Sequence, residues 1–371
     1  MNNLVFNENY DITVVMPFDM KGKKLFKIDK RIKLIRQEEL SVKRTHKPIR
    51  YILALNKRLG FFSSAIWLPF ILNNRIAQRE KENYIEFFNN KNFDIIIGAG
   101  DEYSLLLGEI KNKISAKVIG WQHSTYDSYF EKRGSTGFGL LEYIKKCYSN
   151  LDNIWVLTNS DKMEFDSKLG VKSKVLYNPM PPNEGTKTIY EEDHIIFAGR
   201  LERDHKGLDY LVEVLKKISL KLPELKIDII GDGPYGNWMR KEIKKAGLEK
   251  LVNFVGTTDD VYQFYKKASV MVQTSRWEGF GMTILEAMSC GVPVVAFHNY
   301  GPDEIIRNSI DGYLIDHYDT DAFSDKVIEI LRNSELKKQM GQNAIERSAD
   351  FSLEKLLPVF ERYLEETMKG L

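Results

Sequence analysis

Cysteine is scarce in this chain: its 371 residues hold two, Cys147 and Cys290, far apart and without the spacing of a metal-ligand pair. That excludes a disulfide scaffold and a zinc-finger site, and it leaves reduced, packed thiols as the expectation. Long apolar runs are also missing. No stretch of about 20 apolar residues is present to cross a bilayer as a helix, and the N-terminus shows no charged region, apolar core and small-residue site of a signal peptide. The expected location is therefore cytoplasmic. Net charge is nearly absent, at +2, and no nucleic-acid motif accompanies the basic residues, so no nucleic-acid partner is expected. With 43% hydrophobic and 29% charged residues the composition is that of a soluble globular protein. The length calls for two domains of roughly 150 to 200 residues.

The balanced total hides an uneven distribution. Residues 20–60 hold fourteen Lys or Arg against three Asp or Glu, and the apolar stretch "FFSSAIWLPFIL" (61–72) follows directly. A basic segment beside an aromatic-rich one is suited to an anionic membrane surface. A solvated basic face next to a core helix explains it equally well.

The second half alternates short β-branched runs with helical patterns. Strands are expected at 194–199, 225–231, 251–256, 269–274, 292–297 and 312–315. Less regular candidates in the first half lie at 10–16, 31–35, 93–100, 116–121 and 153–158. Alternation of this kind implies parallel sheets flanked by helices, with ligands at the carboxyl ends of the strands. "YNPMPPNEGTKT" (177–188) gathers three of the eleven prolines and reads as a linker. The expected organisation is an N-terminal acceptor-side Rossmann-like domain (1–178), a linker (179–193), a C-terminal nucleotide-sugar domain (194–350) and a crossover helix (351–371). A cleft between two such domains would be the working place of a two-substrate enzyme. In the last helix Pro358 is expected to kink or restart the run.

"TSRWEGFGMTILEAMSC" (274–290) sets a Gly-Phe-Gly turn between Glu278 and Glu286. By itself Glu286 fits a capping box with Thr283 as N-cap. That leaves Gly279-Phe280-Gly281 unexplained. Strand, glycine turn and helix N-terminus together make an anion site, because free amides and the positive helix end face whatever lies above the sheet. In "FAGRLERDHKGLDYL", Arg200 and Lys206 fall at the same sheet edge, where two cations would stabilise a departing diphosphate. Singly, either is an ordinary loop cation. Asp319-Thr-Asp321 has a DxD spacing, but it follows the last strand and is expected to cap a helix. Gly98-Ala-Gly100 and Gly231-Asp-Gly233 are weak Gly-x-Gly turns.

Four blocks, "GRLERDHKG", "IIGDGP", "EGFGMTILEAMSCGVPVVA" and "GPDEIIRNSIDGYLI", occur in order over about 120 residues. Together they resemble the retaining glycosyltransferases of family 4, which have the GT-B fold: two Rossmann-like parallel-sheet domains facing a cleft. The spacing of Glu278 and Glu286 matches that family's E-x7-E signature. By this resemblance Arg200 and Lys206 bind the donor diphosphate and Glu286 holds the ribose hydroxyls. Glu278 meets the sugar together with the backbone of Gly279, Phe280 and Gly281, on into Met282 and Thr283, and the backbone around Val255 faces the base. His123, in a loop after a strand of the first domain, corresponds to a histidine near the donor sugar. The resemblance implies no metal and no cofactor. It implies transfer of a hexosyl or N-acetylhexosaminyl unit, from a UDP-sugar by preference, to a hydroxyl of a polyprenyl-linked or growing surface glycan. The work would be done at the cytoplasmic membrane face, with contact through residues 20–72.

Against the family pattern, the first strand and its glycine loop, which line the acceptor side, are missing before "YDITVVM". An internal start at Met1 or a truncated relative would account for this. A non-catalytic glycosyltransferase-like subunit and a GT-B epimerase or phosphorylase stand as alternatives.

Overall fold

The structure, a computed structural model, describes residue 4 and residues 9–16, 28–41, 47–180, 183, 185–190 and 193–370, with backbone alone at 47–50. The chain forms two compact units. One comprises residues 1–120 and 130–152; the other comprises 121–129 and 153–371.

In the first unit β1 (Thr13–Met16) and β2 (Lys33–Arg36) pair in parallel as a separate two-stranded sheet. β3 (Ile95–Ala99) neighbours β4 (Lys117–Trp121) in another. Gly100, with φ of 87°, ends β3 and opens the helix Asp101–Ile110. Asp101 and Glu102 occupy that helix's first turn, where carboxylates complement the positive helix end. Leu106, Leu107 and Ile110 from this helix join Tyr84 and Phe88 of helix Gln78–Lys91 in the local core. Lys81 and Glu109 form a buried ion pair, and the Tyr143 hydroxyl donates to the same carboxylate. Cys147 is buried and free, and desolvation pushes its thiol pKa up.

The second unit is built on six parallel strands: β7 (His194–Ala198), β8 (Lys226–Ile230), β9 (Val252–Gly256), β10 (Val270–Gln273), β11 (Val294–Phe297) and β12 (Gly312–Ile315). Their order is β12-β11-β10-β7-β8-β9. Side chains alternate along each strand, so Ile195 and Phe197 join one hydrophobic cluster while Ile196 and Ala198 join another. Both faces are therefore apolar and both are covered by helices, which is why these strands read as unbroken apolar runs. From β7 the sheet grows outward in opposite directions, through β8 on one side and β10 on the other. Between β7 and β10 the strand order reverses, and such a topological switch point is where open α/β sheets hold their ligands.

β5 (Asn153–Val156) and β6 (Ser173–Val175) also belong to this unit and pair in parallel. β6 was not expected. The C-terminal helix Leu353–Lys369 packs on them and runs as one helix through Pro358, without the restart read from the sequence. Trp155 lies fully buried with its ring 5.4 Å from Phe360 and 6.2 Å from Tyr363. Asn153 bonds Thr367 at 3.0 Å, and Lys174 pairs with Glu366 at 2.6 Å. By contacts residues 121–129 and everything from Asn153 onward group together. The described part of the stretch 179–193 is fastened to the second unit: Thr188 N–H donates to the Cys290 carbonyl at 2.8 Å and Ile189 N–H to that of Lys266 at 3.1 Å. Cys290 is buried and free, its thiol pKa pushed up to about 11 by burial.

Candidate active site at the sheet switch point

After β7 the chain passes Gly199 and Arg200, makes one helical turn at Arg203–Lys206, and enters helix Leu208–Lys221 through Gly207. Gly207 has φ of 58°, and a Cβ there would stand 2.0 Å from the Thr274 carbonyl oxygen, so glycine is required on both counts. This approach ties the loop after β7 to the loop after β10. Its result is direct contact between two expected site residues: Lys206 Nζ lies 2.6 Å from Glu278 Oε2, each side chain 12% exposed. Gln273 and Ser275 also donate to Glu278, both at 3.2 Å. Arg200 is exposed and makes no ion pair among the described residues.

Helix Met282–Ser289 starts at Gly281, with φ of 101° and no side-chain cap. Thr283 is therefore inside the helix rather than its N-cap, and the capping box expected with Glu286 does not form. A residue with positive φ cannot be the extended N-cap that such a box needs. The Ile284 and Leu285 amides turn back to the Gly281 carbonyl at 2.9 and 3.3 Å. Met282 and Thr283 remain as first-turn amides without an intrahelical acceptor. Glu286 is half-buried and accepts from the Tyr265 hydroxyl at 3.3 Å. Burial raises its pKa, and the tyrosine bond offsets part of that.

Phe280 turns away from the site. Its ring is buried and stacks on Tyr177 at 5.7 Å, so only its backbone can serve a ligand. At Gly279 an added Cβ would meet Ser124 Cα at 3.1 Å and the His123 carbonyl oxygen at 3.2 Å. His123 therefore stands against the glycine turn, but in the second unit rather than the first. The reason is local: Gln122 N–H donates to the Trp155 carbonyl at 2.8 Å, and Trp121 packs edge-on to Trp155 at 5.8 Å. The His123 ring lies 4.8 Å from Trp121. Protein packed around it lowers its pKa by desolvation, an effect limited by the solvent at its exposed edge. Val255 is half-buried in β9, where Gly256 ends the strand with φ of 78°.

Sequence reading missed Asn299. It follows β11, its Oδ1 accepts from the Glu278 amide at 3.1 Å, and its Nδ2 donates to the Ser275 carbonyl at 3.0 Å. Its signal was position alone, a polar residue two steps beyond an apolar strand and just before Tyr-Gly-Pro. Asp319 caps helix Thr320–Arg332 by accepting from the Ala322 amide at 2.9 Å, as expected of the DxD-like stretch.

Residues 184–347, which carry Arg200, Lys206, Val255, Glu278, Glu286 and Asn299 but not His123 and its neighbours, match the family model of the glycosyl transferases group 1. An uncharacterized glycosyltransferase of Methanocaldococcus jannaschii is 29% identical over 262 residues, covering 69% of this chain and 70% of that protein. The chain is a glycosyltransferase. Its fold is the GT-B fold of solved neighbours. Sucrose-phosphate synthase of Thermosynechococcus elongatus superposes with a TM-score of 0.78 at 17% identity, over 100% of this chain and 92% of that one. A variant of TarM from S. aureus, solved with Fondaparinux, alpha-GlcNAc-glycerol and UDP, gives 0.68 at 23% identity, over 77% of this chain and 59% of that one. The glycosyltransferase thus spans about three-fifths of TarM's length.

Within the enzyme the cation and carboxylate at the switch point balance one another's charge. A diphosphate would offer Lys206 a more highly charged partner and release Glu278 for hydroxyl groups. Glu286, desolvated and with a single weak donor, is suited to accept from a pair of vicinal hydroxyls.

Proposed function

We propose that this enzyme is a retaining glycosyltransferase of family 4. It moves a hexosyl or N-acetylhexosaminyl unit from a UDP-sugar to a hydroxyl of a lipid-linked or growing surface glycan. The carrying observation is the Lys206–Glu278 pair at the sheet switch point, beside the N-terminus of helix 282–289 and the exposed Arg200. Arg200, Lys206 and the Met282 and Thr283 amides take up charge on the leaving diphosphate. Glu278 and His123 position the sugar, Glu286 the ribose, and the Val255 backbone the base. A leaving-group oxygen accepts the acceptor's proton on the face from which the diphosphate departs, and this reading calls for no metal. UDP is favoured because the TarM neighbour was solved with it.

The test is a screen of sugar nucleotides for UDP release with and without acceptor glycans. Acceptor-dependent release is expected, and release of UDP or interconversion of the sugar without any acceptor would favour the epimerase reading. Lys206→Ala and Glu278→Ala should each lower turnover by about 100-fold or more while the protein stays folded, as for loss of a charge-stabilising group. Near-normal turnover in both would sink the assignment. The double variant Lys206→Met with Glu278→Gln removes the buried charge at both ends; it should melt close to wild type and remain inactive.

We further propose that the first unit meets an anionic membrane surface. Residues 20–27 and 42–46 of the basic segment lie outside the described residues. In what is described, Tyr51, Leu55 and Leu59 form an exposed stripe on helix Lys47–Leu59. Ile66 and Trp67 are exposed just beyond, and Arg58 is exposed on the helix. Among the described residues no helix is long and apolar enough to cross a membrane.

A further inference from the structure

Arg276 lies in the loop after β10, two residues before Glu278, with its side chain 20% exposed. Its guanidinium reaches across to the loop after β7. Nη1 and Nη2 donate to Asp209 Oδ1 and Oδ2 at 2.9 and 2.6 Å, a forked pair, and Nη1 also donates to the Arg203 carbonyl at 3.2 Å. The guanidinium lies over the Tyr210 ring at 4.2 Å, and Tyr210 in turn stacks on Tyr318 at 4.7 Å. Asp209 belongs to the first turn of helix Leu208–Lys221, so the anchor is a regular element of the fold. An exposed ion pair contributes about 0–1 kcal/mol. A forked and largely covered pair stacked on an aromatic face fixes direction as well as distance, which the point charge of a lysine does not.

These ties bracket Lys206. Before it, the Arg276 N–H donates to the His205 carbonyl at 2.9 Å, and the His205 ring stacks on that of Trp277 at 5.4 Å with 14° between their planes. At Lys206 itself and at Gly207, the backbone carbonyls lie 3.1 and 3.2 Å from the Thr274 hydroxyl, which donates to them. After it comes Asp209, held by the fork. The backbone that carries the Lys206 ammonium is thus fastened, on both sides, to the strand exit that carries Glu278. A free lysine side chain has about 2 kcal/mol of rotamer entropy to lose, so its attraction to a carboxylate alone does not fix its place.

We infer that Arg276 is a positioning residue for the donor. By holding the loop after β7 against the loop after β10, it sets the Lys206 ammonium where a diphosphate arrives. Its own N–H groups are directed at Asp209 and the Arg203 carbonyl, so it acts through Lys206. The inference rests on the reading of Lys206 as a diphosphate ligand.

The test is calorimetry of UDP binding to the full chain, read well below the melting temperature of each variant. Lys206→Ala should weaken UDP about tenfold or more, as for loss of a charged hydrogen bond. Arg276→Met should weaken it about tenfold as well, the effect of a misplaced binding group. Arg276→Lys should cost less, because one ion pair to Asp209 survives. In the Lys206→Ala background, Arg276→Met should add no more than about a twofold loss, since the group it acts through is gone. Asp209→Asn keeps the shape and removes the charge that Arg276 binds, and it repeats the cycle should Arg276→Met fail to fold. Undiminished UDP binding in the folded Arg276 variants would overturn the inference and leave the donor reading intact. So would a full further loss in the Lys206→Ala background, the mark of an arginine that acts on the donor or on the fold directly. Wild-type affinity in Lys206→Ala, or no UDP binding by the wild type, strikes at the donor reading, and the inference falls with it.

Discussion

Asp161 is 1% exposed at the start of helix Asn159–Leu169, where its carboxylate accepts from the Tyr126 amide at 3.1 Å and the Thr158 hydroxyl at 3.0 Å. Burial is the larger influence and raises its pKa to about 7, against roughly 3.9 in an unfolded chain. Between those values the folded protein keeps a proton that the unfolded chain releases. Its contribution to stability is therefore complete below about pH 4 and is lost as pH rises through about 7. Asp161→Asn retains the shape and should flatten the fall in melting temperature between pH 4.5 and 7.5; an unchanged slope would remove Asp161 as its cause. At this scale the sequence disclosed types and spacings but not partners. Glu278 and Glu286 were visible as a pair eight positions apart. That Lys206 meets Glu278 depends on two loops distant in sequence closing through Gly207, and no local pattern encodes that. The Thr283 cap failed for the same reason: the positive φ of Gly281 is imposed by its surroundings, which a four-residue motif does not contain.

Helix Tyr300–Ile305 clamps the glycine turn. Gly301 N–H donates to the Glu278 carbonyl at 3.1 Å, and a Cβ on Gly301 would lie 2.0 Å from the Phe280 carbonyl oxygen. Its φ lies outside the left-handed region, so the demand for glycine here is one of closeness alone. Gly301→Ala should displace the 278–281 turn, cost about 1–3 kcal/mol or more by overpacking, and weaken UDP binding in proportion. An unchanged melting temperature together with unchanged UDP affinity would show that the turn is not held from this side. Elements were the most legible scale. Long β-branched runs such as "HIIFAG" and "VPVVAF" announce strands buried on both faces, and β7 and β11 lie within them. β6 is three residues long, "SKV", too short for any period to register. Of the kink or restart expected at Pro358, the restart does not occur, because packing of the last helix on Trp155 and its neighbours holds it as one run.

For the whole molecule, apolar and cationic groups share the stretch from Tyr51 to Trp67, which should confer attachment to anionic vesicles. Sedimentation with liposomes containing phosphatidylglycerol at low salt should pull the enzyme down, and neutral vesicles should not. Tyr51→Ser with Leu55→Ser and Leu59→Ser should release it without altering UDP binding. Failure to bind anionic vesicles at low salt would remove the membrane from the proposal. At this scale the fold class was legible, because alternating β-branched runs and helical patterns announce parallel sheets flanked by helices. Division of the chain depends on which helix covers β5 and β6, and that helix lies at the far end of the sequence.

Synthesis on the ribosome meets a consequence of this arrangement. Trp155 is shielded by Phe360 and Tyr363, about two hundred residues downstream. At roughly 5–20 residues per second, its apolar face waits on the order of 10 to 40 seconds for its cover after emerging. Throughout that interval the nascent chain presents an uncovered tryptophan beside two short strands, a surface that chaperones bind and aggregates nucleate on. Shortening the chain at its C-terminus would make that temporary exposure permanent.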